Sequence, residues 1–138
     1  MKNIEVSETV LFYDTDCGGV VSNIAYLRFV EKARAALFAD LGMGLAEMNE
    51  SQLFPVVVRT EIDYIFPAKL GDEVVISASL ADAGKVRAVC EFILTVMGKD
   101  GVSRVIANAK QTVALVQMPS GRPKRLPREW VTSTDSAI

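Results

Sequence analysis

The chain reads as an α+β domain, a curved antiparallel sheet of about five strands wrapped around one long central helix. Three observations predict it. Apolar residues at Ile24, Leu27, Val30, Ala33, Leu37 and Leu41 recur every three or four positions, the spacing of a helix face. From Val56 onward apolar and polar residues alternate instead, the pattern of half-buried strands. Only short turn signals, at 70–72, 83–85 and 98–101, separate the alternating runs, and short turns join antiparallel neighbours.

Taken in order, residues 4–13 form a strand that grows more apolar toward its end. Asp14-Thr15-Asp16-Cys17-Gly18-Gly19 is a turn-rich break. Ser22 and Asn23 are good helix N-caps, and the helix begins at Ile24. Tyr26, Phe29, Ala36 and Phe38 widen its apolar surface, so this helix of about five turns is expected to be buried on most sides. Gly42 stands where a left-handed C-cap is easiest, and a short second helix follows over 45–49. The next strand spans 56–66, with Val56, Val58, Thr60, Ile62, Tyr64 and Phe66 on its apolar face, and Pro67 ends it. Strands over 73–80, 86–97 and 102–117 follow. The third of these four carries Val86, Ala88, Cys90, Phe92, Leu94 and Val96 on one face. Tyr64, Phe66 and Phe92 are read as core. Ser120-Gly121 and the prolines after it mark a loose, basic end.

At 138 residues the chain has the length of one domain, 1–138. Its net charge of -2 offers no basic face for a nucleic acid. No run of 18 apolar residues encodes a membrane span. The N-terminus alternates charged and apolar residues and lacks the apolar core of a signal peptide. Two cysteines, Cys17 and Cys90, make no disulfide framework. A cytoplasmic protein is the expectation.

The chain contains no histidine. Ser-His-Asp and Cys-His catalysis both need an imidazole to take the proton, so both are excluded. So are histidine zinc sites, and two cysteines cannot supply an all-thiolate one. No metal or cofactor is expected. Acid–base work must come from carboxylate, lysine, tyrosine or backbone groups.

The strand-to-helix junction, 14–23, is the most unusual stretch. Two aspartates and two glycines stand at the entrance to an apolar helix. A helix N-terminus presents unpaired N–H groups and partial positive charge, which can polarise a carbonyl or hold an oxyanion. A carboxylate beside it can act as nucleophile or general base on the same carbon, and glycine lets a substrate approach the backbone. An Asp-rich turn can equally tie up its own amides. Cys17 is a weaker nucleophile candidate without an imidazole partner, and Cys90 reads as packing.

Tyr13-Asp14-Thr15-Asp16-Cys17-Gly18-Gly19-Val20-Val21, with Tyr26-Leu27-Arg28-Phe29 and Glu31-Lys32-Ala33-Arg34, resembles the signature of the 4-hydroxybenzoyl-CoA thioesterase-like family. Val58-Arg59-Thr60-Glu61-Ile62-Asp63-Tyr64 with Pro67-Ala68-Lys69-Leu70-Gly71-Asp72 resembles its second block, and 121–127 its usual ending. The resemblance implies a hot-dog fold, a homodimer with a continuous sheet or a homotetramer built from it, and hydrolysis of an acyl-CoA thioester. It implies Asp16 as the catalytic carboxylate and the backbone amide of Asn23 as the oxyanion donor. Gly19, Val20 and Ser22, between the two, are expected along the substrate's path. Many members carry Tyr-His where this chain has Ser22-Asn23; the amide survives that change, and any imidazole role does not.

CoA carries phosphates, so basic residues are expected at the pocket mouth; Arg59, Lys85 and Arg87 are candidates, with Arg122, Lys124 and Arg125 behind them. Thr60, polar on an apolar face, could reach a neighbour's site or be a tolerated β-branched residue. Glu31 and Arg34, three apart on the helix, are expected to pair. An acyl-ACP thioesterase and a non-hydrolytic acyl-CoA-binding module are the alternatives. A hot-dog dehydratase is disfavoured, since that chemistry relies on histidine.

Overall fold

The computed structural model describes residues 3–17 and 19–131. Its elements are β1 (Asn3–Thr9), a 3-10 turn at Phe12–Asp14, α1 (Asn23–Asp40), α2 (Leu45–Ser51), β2 (Leu53–Tyr64), β3 (Glu73–Ala83), β4 (Arg87–Met97), β5 (Ser103–Gln117), β6 (Arg122–Lys124) and a last 3-10 turn at Arg128–Trp130. One antiparallel sheet runs β1-β3-β4-β5-β2, and β6 pairs with the far end of β5. The α+β expectation of one sheet on one long helix holds.

The helix starts and stops as its sequence requires. The Ser22 hydroxyl accepts the Ala25 N–H at 3.4 Å, an N-cap. At the other end Gly42 takes φ 89°. Its N–H donates to Ala39 O at 3.2 Å, and the Met43 N–H donates to Phe38 O at 2.7 Å, the paired bonds of a Schellman cap. The buried face differs from the expected stripe. It consists of Ala25, Tyr26, Phe29, Val30, Ala33, Leu37 and Phe38, while Ile24 is 75% and Leu27 42% exposed. Tyr26, Phe29 and Ala33 are also spaced by three and four, and they carry more apolar volume than the Ile24–Leu27 side. The helix lies over β1 and β3 and reaches β4, so its opposite flank is open rather than buried on most sides. Phe29, Phe92, Leu37, Ile76, Leu94 and Ile106 lie at the centre of the interface, each contributing about 1.5–3 kcal/mol by burial.

Three strand expectations change. The first strand ends at Thr9 rather than 13, because Asp14 turns the chain back: its N–H donates to Leu11 O at 2.9 Å and its carboxylate accepts the Leu11 N–H at 3.0 Å. β2 does not neighbour β3; they lie near opposite edges of the sheet. Residues 65–72 cross between them at one end of the sheet, which the short-turn rule did not anticipate. Within β2 a bulge separates the Val57–Val113 and Arg59–Thr112 pairs, and an extra residue reverses the faces beyond it. Thr60, Ile62 and Tyr64 therefore pair with the buried Gln111, Ala109 and Ala107, while Val56 and Val58 are exposed at 40% and 46%.

The remaining strands follow the sequence closely. β4 buries Ala88, Cys90, Phe92, Leu94 and Val96, although Val86 falls in the turn before it and is exposed. Burial pushes the Cys90 thiol up to about 12, against the opposing charge of Arg34, so it is packing, as expected. The C-terminal segment is not loose. β6 adds to β5, Leu126 and Trp130 are buried, and the Trp130 ring stacks on Phe38 at 5.6 Å. No helix among the described residues is long and apolar enough to cross a membrane.

Candidate active site

The junction between β1 and α1 folds into a small hairpin. The Asp16 N–H donates to Val20 O, and the Gly19 N–H to Asp16 O, both at 3.0 Å. Thr15 bridges Val21. Gly19 takes φ 77°, a left-handed conformation that a residue with a Cβ adopts only with strain. Gly18 lies outside the described residues. The hairpin stem closes where the Ser22 N–H donates to Asp14 O at 2.9 Å. Ser22 is the cap of α1 and Asn23 its first residue, so the hairpin carries Asp16 to the end of the helix where N–H groups lack intrahelical acceptors.

The crossing segment 65–72 braces this arrangement. Val21 N–H donates to Ala68 O at 2.9 Å, and Leu70 N–H to Gly19 O at 3.4 Å. Val20 bridges Lys69. Ala68 is fully buried. The two sequence blocks singled out above thus meet in space.

The two aspartates of the hairpin have opposite environments. Asp14 is 2% exposed. Its carboxylate accepts from Leu11 N–H, from Arg28 Nε at 3.0 Å and from Arg28 Nη2 at 2.7 Å. Burial pushes its pKa up, but the Arg28 hydrogen bonds, the Leu11 N–H and the guanidinium charge together outweigh burial and hold it below the ordinary 3.8. Asp16 is exposed to solvent. Only the second acid is placed where a substrate could meet it. Arg28 also reaches Glu8 on β1 at 2.8 Å, and Lys32 joins the same carboxylate at 3.0 Å. Sequence reasoning missed this cluster, since nothing in the spacing ties Asp14 to a helix residue 14 positions on.

Beside Asn23 is an open cavity of about 300 Å³, lined by Val21, Asn23, Tyr26, Tyr64, Ile65, Phe66 and Pro67. Tyr26 is buried, and burial raises its hydroxyl pKa against a hydrogen bond from the Ala68 backbone. Its ring meets Tyr64 edge-on at 5.1 Å. Tyr64 and Phe66 are 53% and 46% exposed; of the three aromatics read as core, only Phe92 is. The other two stand at the sheet's open edge, where α1 touches Tyr64 through Tyr26 and leaves about half of each ring exposed.

Asp16, Gly19 and Val20 are therefore joined in one hairpin, whose stem ends at Ser22, the residue before Asn23. Thr60 stands apart on the helix side of β2, accepting from Gln111 Nε2 at 3.2 Å. Gln111, 4% exposed, accepts in turn from Arg34 Nη1 at 2.7 Å, and Arg34 pairs with Glu31 at 2.9 Å as expected. Arg59 falls on the outer face, opposite Thr60 as the alternation predicts, and pairs with Glu61 at 2.7 Å. Lys85 and Arg87 are exposed at the β3–β4 turn, beside the basic segment that Leu126 ties in through a 2.8 Å bond from its N–H to Lys85 O. The chain runs on from Leu126 to Trp130, which stacks on Phe38 near the trailing end of α1, so the turn lies toward that end of the 18-residue helix, which is about 27 Å long.

A curved antiparallel sheet on one long helix, with a carboxylate held at the helix's leading end, defines a protein of the hot-dog class. Residues 10–133 match the model of the thioesterase-like superfamily, and the chain belongs to that family. It is 30% identical over 121 residues to an acyl-CoA thioesterase (YbgC) of Haemophilus influenzae, covering 87% of this chain and 85% of the relative. A probable thioesterase from Bartonella henselae superposes with a TM-score of 0.80 at 27% identity, covering 91% of this chain and all of that one. The 4-hydroxybenzoyl-CoA thioesterase of a Pseudomonas species superposes at 0.83 with 16% identity, covering 94% and 97%; at that identity the likeness speaks to fold.

Proposed function

We propose that the protein hydrolyses the thioester of small or medium acyl-CoAs, with Asp16 as nucleophile or general base and the Asn23 amide as oxyanion donor. The observation that carries this reading is the closure of the Asp16 hairpin onto the start of α1, next to an apolar cavity that Asn23 itself lines. The acyl group enters that cavity. Its carbonyl oxygen points at the N-terminal amides of α1, whose fixed dipoles stabilise the charge that develops there. Asp16 attacks the carbonyl carbon or takes a proton from the water that does. The tetrahedral intermediate collapses, the C–S bond breaks, and CoA leaves as a thiolate; on the nucleophilic route the acyl group is left on Asp16 as an anhydride, which water hydrolyses to the free acid and the Asp16 carboxylate.

Self-association completes the reading. β2 is an edge strand of 12 residues with exposed Val56, Val58 and Tyr64, and Ile65 and Phe66 just after it. An edge of that length and character is a template for pairing with a second copy. Lys85 and Arg87 are too far along α1 to meet the phosphates of a CoA whose thioester is at Asn23 of the same chain. A second protomer's basic turn would supply them.

Thiol release measured across short aliphatic, branched and aromatic acyl-CoAs tests the reaction. Turnover on some member of the panel, lost in Asp16→Ala with the fold retained, is expected. Tight binding without turnover by the wild type would instead favour an acyl-CoA-binding module. Faster turnover on matched acyl-ACP would move the substrate class to the carrier protein.

A further inference from the structure

Resting on Asp16 as the reacting acid, we infer that Asp14 is a positioning residue: it fixes the Asp16 hairpin to the leading end of α1 through its main chain and its carboxylate at once. The main chain acts on the cap. Asp14 O accepts the Ser22 N–H at 2.9 Å, one residue before Asn23. The side chain acts on the second turn of the helix. Its two oxygens take Arg28 Nε at 3.0 Å and Nη2 at 2.7 Å, a two-pronged contact, and the Leu11 N–H supplies a third donor at 3.0 Å.

A planar guanidinium fork against a planar carboxylate fixes orientation as well as distance. The stem bond and the brace from 65–72 hold the hairpin's main chain, but neither reaches past the cap of α1; the fork on Arg28, a helical turn further on, ties the hairpin to the body of the helix. A buried ion pair adds little net stability over an apolar pair of the same size, because both charges lose water. What the pair at Asp14 does add is a defined angle. Asp14 itself cannot meet substrate, since its carboxylate is buried and its oxygens are taken. The other carboxylate on Arg28, Glu8, belongs to β1 and pairs with Arg28 and Lys32, both on the body of α1. It provides a control that loosens Arg28 without releasing the hairpin.

The test compares full-length Asp14→Asn, Arg28→Lys and Glu8→Gln with the wild type. Two readouts are taken: steady-state thioester hydrolysis, and amide hydrogen exchange over residues 14–23 and over the β4 core. Arg28→Lys keeps the charge and loses the fork, on a side chain 39% exposed, so it reports even where Asp14→Asn fails to fold. For both hairpin variants kcat per folded molecule is expected to drop about 100-fold, the cost of a reacting group displaced by about 1 Å, with KM within about threefold. Exchange over 14–23 is expected to quicken about tenfold with β4 unchanged, and Glu8→Gln to stay within about twofold of wild-type kcat. Wild-type kcat in both hairpin variants, or unaltered exchange over 14–23, would overturn the inference; so would an equal loss of kcat in Glu8→Gln. Absence of wild-type turnover would strike the thioesterase reading instead, and the exchange comparison would still decide whether Asp14 holds the hairpin.

Discussion

The two ends of α1 are secured by different physics. At the leading end the contacts are directional: a serine cap, a hairpin stem bond, and a guanidinium fork on a buried carboxylate. At the trailing end a Schellman cap hands over to packing, with Phe38 stacked on Trp130 and Leu126 buried nearby. Hydrogen bonds and ion pairs set angles, whereas apolar burial sets proximity and tolerates small rotations. An acid that must meet a carbonyl carbon needs the first; a surface that offers charges to phosphates needs only the second. The division implies that damage at the leading end appears in turnover and damage at the trailing end in stability or in substrate affinity.

The largest separation is expected from Asp16→Asn, which removes the carboxylate proposed to react, at an exposed position. Thioester hydrolysis should fall about 10²–10⁴-fold in kcat, while circular dichroism and the thermal midpoint stay near wild type. Trp130→Ala should do the reverse. Losing a buried aromatic costs about 3–5 kcal/mol of unfolding free energy in denaturant titrations, with kcat per folded molecule unchanged. Similar kcat losses in the two variants would erase the distinction between the ends.

Lys85→Ala with Arg87→Ala sharpens it further. KM for acyl-CoA should rise about tenfold, less so at high salt, because each phosphate contact is a charge-assisted bond at an exposed site. KM for the acyl-pantetheine thioester, which lacks the nucleotide, should not change. Acid provides a fourth contrast. Asp14 and Glu8 are both held below their ordinary values of 3.8 and 4.5, Glu8 by the Arg28 and Lys32 hydrogen bonds. In the unfolded chain these acids bind protons at a higher pH than in the folded one. Their contribution to stability is therefore complete above pH about 5 and disappears as pH falls through the lower folded values. Denaturant titrations from pH about 5 down to pH about 2 should show that slope, reduced in Glu8→Gln. The smallest effect belongs to Cys17→Ser, which should leave kcat within about twofold, since no imidazole is present to activate the thiol.

Local signals carried most of the fold. Ser22 and Gly42 marked the helix because capping is a short-range matter, and the alternation of Ala88, Cys90, Phe92, Leu94 and Val96 named a buried strand face because a strand's period is two. What escaped were features that depend on distant partners. The bulge at Val58 leaves no signature in composition, yet it turned Val56 and Val58 away from the face shared by Thr60 and Ile62. The separation of β2 from β3 follows from the path of 65–72 over one end of the sheet, whereas turn length alone argued for adjacency. At the site, Asp16 and Asn23 were legible only through the motif around them, and the structure puts them on one hairpin and the helix that follows it. Asp14 stood in the same motif, but its bond to Arg28 spans the hairpin and a turn of helix. Tyr64 and Phe66 looked like core because apolar residues on a strand face usually are; they are half-exposed because β2 is an edge strand that α1 meets at Tyr64 through Tyr26 without covering it.

The central claim is that Asp16 and the Asn23 amide converge on one thioester carbon. A crystal structure of the wild-type protein with an unreactive acyl-CoA analogue, in which a methylene replaces the thioester sulfur, tests it most directly. The account predicts the analogue's carbonyl oxygen about 3 Å from the Asn23 nitrogen, with an Asp16 oxygen within about 3.5 Å of the carbonyl carbon or one water away. A carbonyl bound elsewhere, or an Asp16 carboxylate turned from it with no room for water between, would contradict the account.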